Sequence, residues 1–113
     1  MKVDERLFPL MREMGEIANK LRANSQQLSP RVGEIAIGGA HMDPLFRAVG
    51  LEQVLRTLRQ GGGIDWAIDS GKLAAKHSIQ KWNDQREWQV HRWENGVDSF
   101  LDGWQRRLEE EIK

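Results

Sequence analysis

Three tryptophans, Trp82, Trp93 and Trp104, stand eleven residues apart, and that interval constrains the fold more than any other feature of the chain. At about 3.6 residues per turn, eleven residues is close to three full turns, so the indoles line up on one helix face. Ile79, Val90, Val97, Phe100, Leu101, Leu108 and Ile112 fill most of the i, i+3, i+4 positions beside them. A stripe this broad must be covered. The pattern predicts an all-α protein of three to four helices with a long amphipathic C-terminal helix, assembled as an oligomeric helical bundle.

With 113 residues the chain is one domain by size, large enough for a modest core. Its hydrophobic content of 39% is low and its charged content of 30% somewhat high, which suits oligomers that complete a thin core by sharing it. The apolar residues are periodic, which argues against disorder. There are 17 basic and 17 acidic side chains, so the surplus of Lys and Arg typical of a polyanion binder is missing. Cysteine is absent, which excludes disulfides and thiolate zinc and fits a reducing, cytoplasmic setting. Met1–Leu10 is too charged for a signal peptide, and no apolar run is long enough to span a membrane.

In chain order, Asp4 is of a type that caps a helix start, but Pro9 is tolerated only in a first turn, so the first helix is expected over 8–28 with Pro9 at its first position. Leu7, Met11, Met14, Ala18, Leu21 and Leu28 form a heptad-like seam through Ser25, flanked by Leu10 and Ile17. Gly15 in this seam suggests close approach by another helix. Ser29-Pro30 ends the helix. The connection 29–43 holds Ile35-Ala36-Ile37, read as a buried plug in preference to a short strand. Within it, Gly39-Ala40-His41-Met42 has the look of a scar left by a protease site and a cloning junction.

Asp43-Pro44 signals a second helix over 44–60, with Leu45, Phe46, Val49, Val54, Leu55 and Leu58 turned inward and Gly50 as a point of division. Gly61-Gly62-Gly63 stops it and serves as a linker. Ile64–Ser70, with Trp66 and Ile68, is expected to cap the core, and Asp69 or Ser70 to cap the last helix. From Gly71 to Lys113 an unbroken helix would be roughly 60 Å long, against a radius of gyration of about 13 Å for a compact domain of this size. A break or bend is therefore expected at Asn95-Gly96, where Asp98 can restart the helix.

Charge along this segment supports association. From 72 to 93 there are five basic residues (Lys72, Lys76, Lys81, Arg86, Arg92) against Asp84 and Glu87; from 94 to 112, six acidic residues face Arg106 and Arg107. Two antiparallel copies would match opposite halves and bring Trp82 of one onto Trp104 of the other. The plainer alternative is a solvated charged face. The expected protein interface comprises Trp82, Trp93, Trp104, Val90, Val97, Leu101 and Leu108.

Chemistry-bearing patterns are thin. His41, His77 and His91 offer no i, i+3 or i+4 imidazole pair. Glu87, His91 and Glu94 share a face, where a salt-bridged surface cluster is a simpler reading than a metal site. The glycine-rich stretch 33–39 is not followed by the Lys-Ser/Thr of a phosphate loop. No nucleophile stands with an attendant base, so no catalytic residue, cofactor or metal is nominated. The sequence reads best as a non-enzymatic assembly, adaptor or structural subunit that binds itself and another protein, of a kind at home in a phage or mobile element. The alternative is a small nucleic-acid-binding regulator. It would use a helix–turn–helix around Gly50 with Arg47, Arg56 and Arg59, or the basic 72–92 segment through Lys72, Lys76, Lys81, Arg86 and Arg92, with Trp82 and Trp88 stacking on bases. Against it, Arg56 stands where such a motif needs an apolar residue.

Overall fold

Asp4 sets the entry of the chain into its first helix. The computed structural model describes residues 2–28, 42–81 and 87–113, residue 28 by its backbone alone. The Asp4 carboxylate accepts from the Arg6 backbone N–H (3.0 Å) and caps a 3-10 turn, Glu5–Leu7, that runs directly into helix α1, Phe8–Leu28. Among the described residues every regular element is helical: α2 spans Met42–Arg59, α3 Ile64–Gln80 and α4 Glu87–Glu111. The expected plug at 35–37 and residues 39–41 of the suspected junction lie outside the described residues.

The seam of α1 buries Leu7, Leu10, Met11, Met14, Ala18 and Ser25, with Ile17 and Leu21 half-buried. Gly15 does lie at a close approach, since a Cβ there would stand 3.7 Å from the Leu55 side chain of α2.

Helix α2 is the centre of the molecule and packs against each of the other three. An amphipathic surface helix needs one apolar stripe, but a helix with three neighbours buries a much wider arc and keeps only a narrow solvent side, here carrying Arg56 and Arg59. Accordingly Met42, Phe46, Ala48, Gly50, Leu51, Val54, Leu55, Thr57 and Leu58 are buried. Leu45 and Val49, expected to face inward, are only partly covered. Gly50 does not divide this helix. It faces Gly71 of α3: a Cβ at Gly71 would fall 2.7 Å from the Gly50 carbonyl oxygen and 2.5 Å from Val54 Cγ2. The paired glycines let two backbones come together where any side chain would hold them apart.

The stop after α2 is built as its sequence requires. Gly61 takes a left-handed conformation (φ 83°), its N–H donates to the Leu58 carbonyl (3.0 Å), and the Gly62 N–H donates to the Thr57 carbonyl (3.0 Å). This double closure satisfies carbonyls that the helix end leaves open.

Beyond it the structure departs from expectation twice. Ile64–Ser70 is not a separate cap, and Asp69 and Ser70 start nothing; α3 runs through both, because Gly71 is needed for the contact with Gly50 and not for a turn. Nor does the chain break at Asn95-Gly96. Helix α4 continues through it, with Trp93, Val97, Leu101, Trp104 and Leu108 buried on both sides. Burying those side chains, at about 1.5–3 kcal/mol each, outweighs the ~1 kcal/mol that a helical glycine costs. Gly96 also has a packing reason to lack a side chain: a Cβ would meet Arg47 Nη2 at 3.3 Å and Asp43 Oδ1 at 3.6 Å. The length conflict is resolved instead by two helices, α3 and α4, that run antiparallel. Asp65 accepts from Gln105 (2.8 Å) and Lys72 donates to Asp102 (2.6 Å), so rising numbers on one helix meet falling numbers on the other. On α2, residues 43 and 47 meet 96 and 100, so α2 and α4 run parallel.

Candidate interaction surface

The tryptophan seam is covered from within. Trp93 is 2% exposed and meets Phe46 of α2 edge-on, ring centroids 5.0 Å apart. Trp104 is 4% exposed, with the Arg107 guanidinium 4.4 Å over its ring. Val97, Leu101 and Leu108 are buried as well, and Val90 is partly buried against the same core. Trp82 lies outside the described residues. Of the seven residues expected at an interface, five are therefore core residues of one chain in this arrangement. The periodicity correctly marked a dry face; the cover is α2 and its neighbours, so the stripe itself carries no requirement for a second copy.

The charge asymmetry is likewise answered inside the chain. Lys72 of α3 and Asp102 of α4 form a 2.6 Å ion pair. That hydrogen bond raises the lysine pKa above its ordinary value against partial desolvation, and the charges of Asp102, Asp98 and Asp69 add to it. Glu13 of α1 accepts two hydrogen bonds from Arg107 of α4 (3.1 and 2.7 Å), which hold its carboxyl below the ordinary value. Arg22 and Glu52 join α1 to α2 at 2.5 Å. These pairs are all partly solvated, so they set which helix faces which more than they stabilise the fold.

Among the described residues the large apolar side chains left exposed are Phe8 at the start of α1 and three on the outside of α3 and α4. Trp66 is 67% exposed, Leu73 54% and Trp88 55%. On α3 the buried residues Ala67, Ile68, Gly71, Ala75 and Ile79 define one side of the helix, and Trp66 and Leu73, seven residues apart, lie opposite. Leu73 borders an open cleft of about 290 Å³ between α3 and α4, whose walls also carry Asp69, Lys72, Lys76, Glu94 and Asp98. Sequence reasoning missed this surface because it put Trp66 in a core-capping segment and began a new helix after Ser70. Read as one helix from 64 to 80, the phase of Ala67, Ile68 and Ala75 sends Trp66 and Leu73 outward.

Of the five cations considered for nucleic acid, the four that the structure describes do not form one field. Lys72 is held by Asp102; Lys76 and Lys81 are exposed on and just beyond α3, and Arg92 is exposed on α4; Arg86 lies outside the described residues. Acidic groups, Asp69, Glu94 and Asp98, share the cleft with Lys72 and Lys76. The helix–turn–helix reading of 46–58 fails on geometry, because α2 is a single helix across Gly50. Arg47 of that set ion-pairs with Asp43 (3.6 Å) and lies 5.6 Å over the Phe100 ring. His91 Nε2 lies 3.6 Å from Glu87 Oε1, both side chains well exposed, and among the described residues no group of three or more potential ligands is placed to hold a metal. No described helix is long and apolar enough to cross a membrane.

Set against known protein families, curated proteins and solved structures, the chain shows no match. Function has to be argued from the surface itself.

Proposed function

We propose that the chain is a non-enzymatic protein-interaction subunit, an adaptor or structural component that acts as a homo-oligomer. The observation that supports this is the contrast between a closed core and a bare outer surface: Trp93 and Trp104 are under 5% exposed, whereas Trp66, Leu73 and Trp88 are each more than half exposed. Isolated apolar side chains on a surface are ordinary, but the two exposed indoles, Trp66 and Trp88, are of the residue type that protein interfaces favour. The contact surface is thus the outside of α3 and α4, in place of the tryptophan seam.

Sedimentation velocity over a wide concentration range tests the reading. The mass should rise above the 13.0 kDa of one chain as concentration increases. The double variant Trp66→Ser/Leu73→Ser should stay monomeric with an unchanged circular dichroism spectrum. A wild-type chain that remains monomeric into the high micromolar range refutes the homo-oligomer.

A further inference from the structure

We infer that α3 pairs with α3 of a second copy, antiparallel, about a two-fold axis passing beside Leu73. This rests on the self-association reading above and adds to it the face, the direction and the register.

The outer side of α3 carries Trp66, Asp69, Leu73, Lys76 and Gln80, at gaps of three, four, three and four residues. That spacing forms a straight stripe suited to lying along another helix. Asp69, Leu73 and Lys76 all border the cleft against α4, so the structure places them on one side together. The stripe is self-complementary only when its copy runs the opposite way. With Leu73 beside the axis, Asp69 of each copy falls next to Lys76 of the other, twice by symmetry, and Trp66 lies over the Gln80 end of its partner. A parallel copy would set Asp69 on Asp69 and Lys76 on Lys76, which like-charge repulsion disfavours.

Both charged groups are uncommitted to a direct ion pair, although the charge of Asp69 acts at longer range on Lys72. Neither Asp69 nor Lys76 makes an ion pair within 4.0 Å among the described residues, whereas Lys72, one turn away, is taken by Asp102. The cleft of about 290 Å³ beside Leu73 has Ala75, Ile79 and Val97 among its charged walls and leaves space beside the axis for a side chain of the second copy. One helix laid on its copy is at the small end of specific interfaces, so the pairing is weak, with dissociation in the micromolar range or above.

Charge reversal separates this arrangement from other modes of association. In sedimentation equilibrium at low salt, Asp69→Lys and Lys76→Asp should each weaken self-association about tenfold, the scale expected for two exposed ion pairs turned repulsive. Combined, they should restore it to within a few-fold of wild type. Both positions are exposed, so folding is unaffected, which circular dichroism checks. The chain has no cysteine, so Leu73→Cys introduces a single thiol beside the axis. It should form a disulfide-linked dimer under mild oxidation much faster than Ser99→Cys on the exposed side of α4. Wild-type association that ignores the charge reversals, or a Leu73→Cys chain that crosslinks no faster than Ser99→Cys, overturns the α3 pairing while leaving self-association standing. A wild-type chain that is monomeric throughout removes both.

Discussion

Replacing Gly71 by alanine tests the closest approach in the fold. In an exposed helix interior the change gains ~1 kcal/mol, because glycine is the poorer helix former. At this position the new methyl would stand 2.7 Å from the Gly50 carbonyl oxygen, 2.5 Å from Val54 Cγ2 and 3.1 Å from Leu101 Cδ1. Leu101 Cδ1 is a side-chain end that can shift, but Val54 is β-branched and fully buried, and the carbonyl is backbone inside α2 and cannot turn away without moving the helix. Overpacking of this kind costs about 1–3 kcal/mol, and more when a backbone has to separate, so the net loss should be about 1–2 kcal/mol. For a domain of this size that lowers Tm by roughly 4–8 °C. Gly103→Ala is the matched control, since nothing lies within 4 Å of a Cβ there and the propensity gain should survive as a higher Tm. Gly96→Ala should fall between them, because the nearest atom, Arg47 Nη2 at 3.3 Å, is the end of a flexible side chain. Thermal unfolding followed by circular dichroism reads all three. If Gly71→Ala melts at or above the wild-type temperature, α2 and α3 are not in the contact described.

Trp93→Ala should destabilise the chain by about 3–5 kcal/mol in urea unfolding, the cost of emptying a buried aromatic site; a variant as stable as wild type would mean that the indole is not under the cover of Phe46. The Glu13–Arg107 pair predicts a pH dependence of definite sign. Because the carboxyl is held below its ordinary value, its contribution is present above the unfolded pKa of about 4.3 and is lost as pH falls through the lower folded value. Glu13→Gln should therefore melt below wild type at neutral pH and converge with it under acid; a gap that widens on acidification contradicts the assignment.

How far the fold can be read from the residues depends on what each signal encodes. Stops that involve only neighbouring backbone, such as Gly61-Gly62-Gly63, are legible because their chemistry is local; Asp4 is discounted in the sequence because of Pro9, yet it caps the 3-10 turn that precedes the proline. Asp69-Ser70 and Asn95-Gly96 carry the same kinds of local signal and are overridden, since Gly71 and Gly96 answer to packing across helices. The eleven-residue interval showed that Trp93 and Trp104 need cover. It holds no information on whether that cover belongs to the same chain, and here α2 supplies it. α2 is the hardest element to orient, because its three neighbours leave only a narrow wet side, marked by Arg56 and Arg59. The exposed surface is hidden by a different misreading, a helix start placed after Ser70: Trp66 and Leu73 stand out only when 64–80 is taken as one helix.

The three-glycine stop between α2 and α3 has a consequence for the order of assembly. Joining these two helices closes a very short loop, whereas the hydrogen bond from Arg6 Nη1 to the Ile112 carbonyl closes a separation of 106 residues. Loop-closure entropy thus favours the local pairings, α2 on α3 and α3 on α4, over the closure of the chain's two ends. Before those ends close, α3 already displays Trp66 and Leu73, while the part of Leu55 that Gly15 will cover stands bare. Two half-assembled copies meeting then can associate through those faces, so refolding at high concentration is where misassembled dimers would arise.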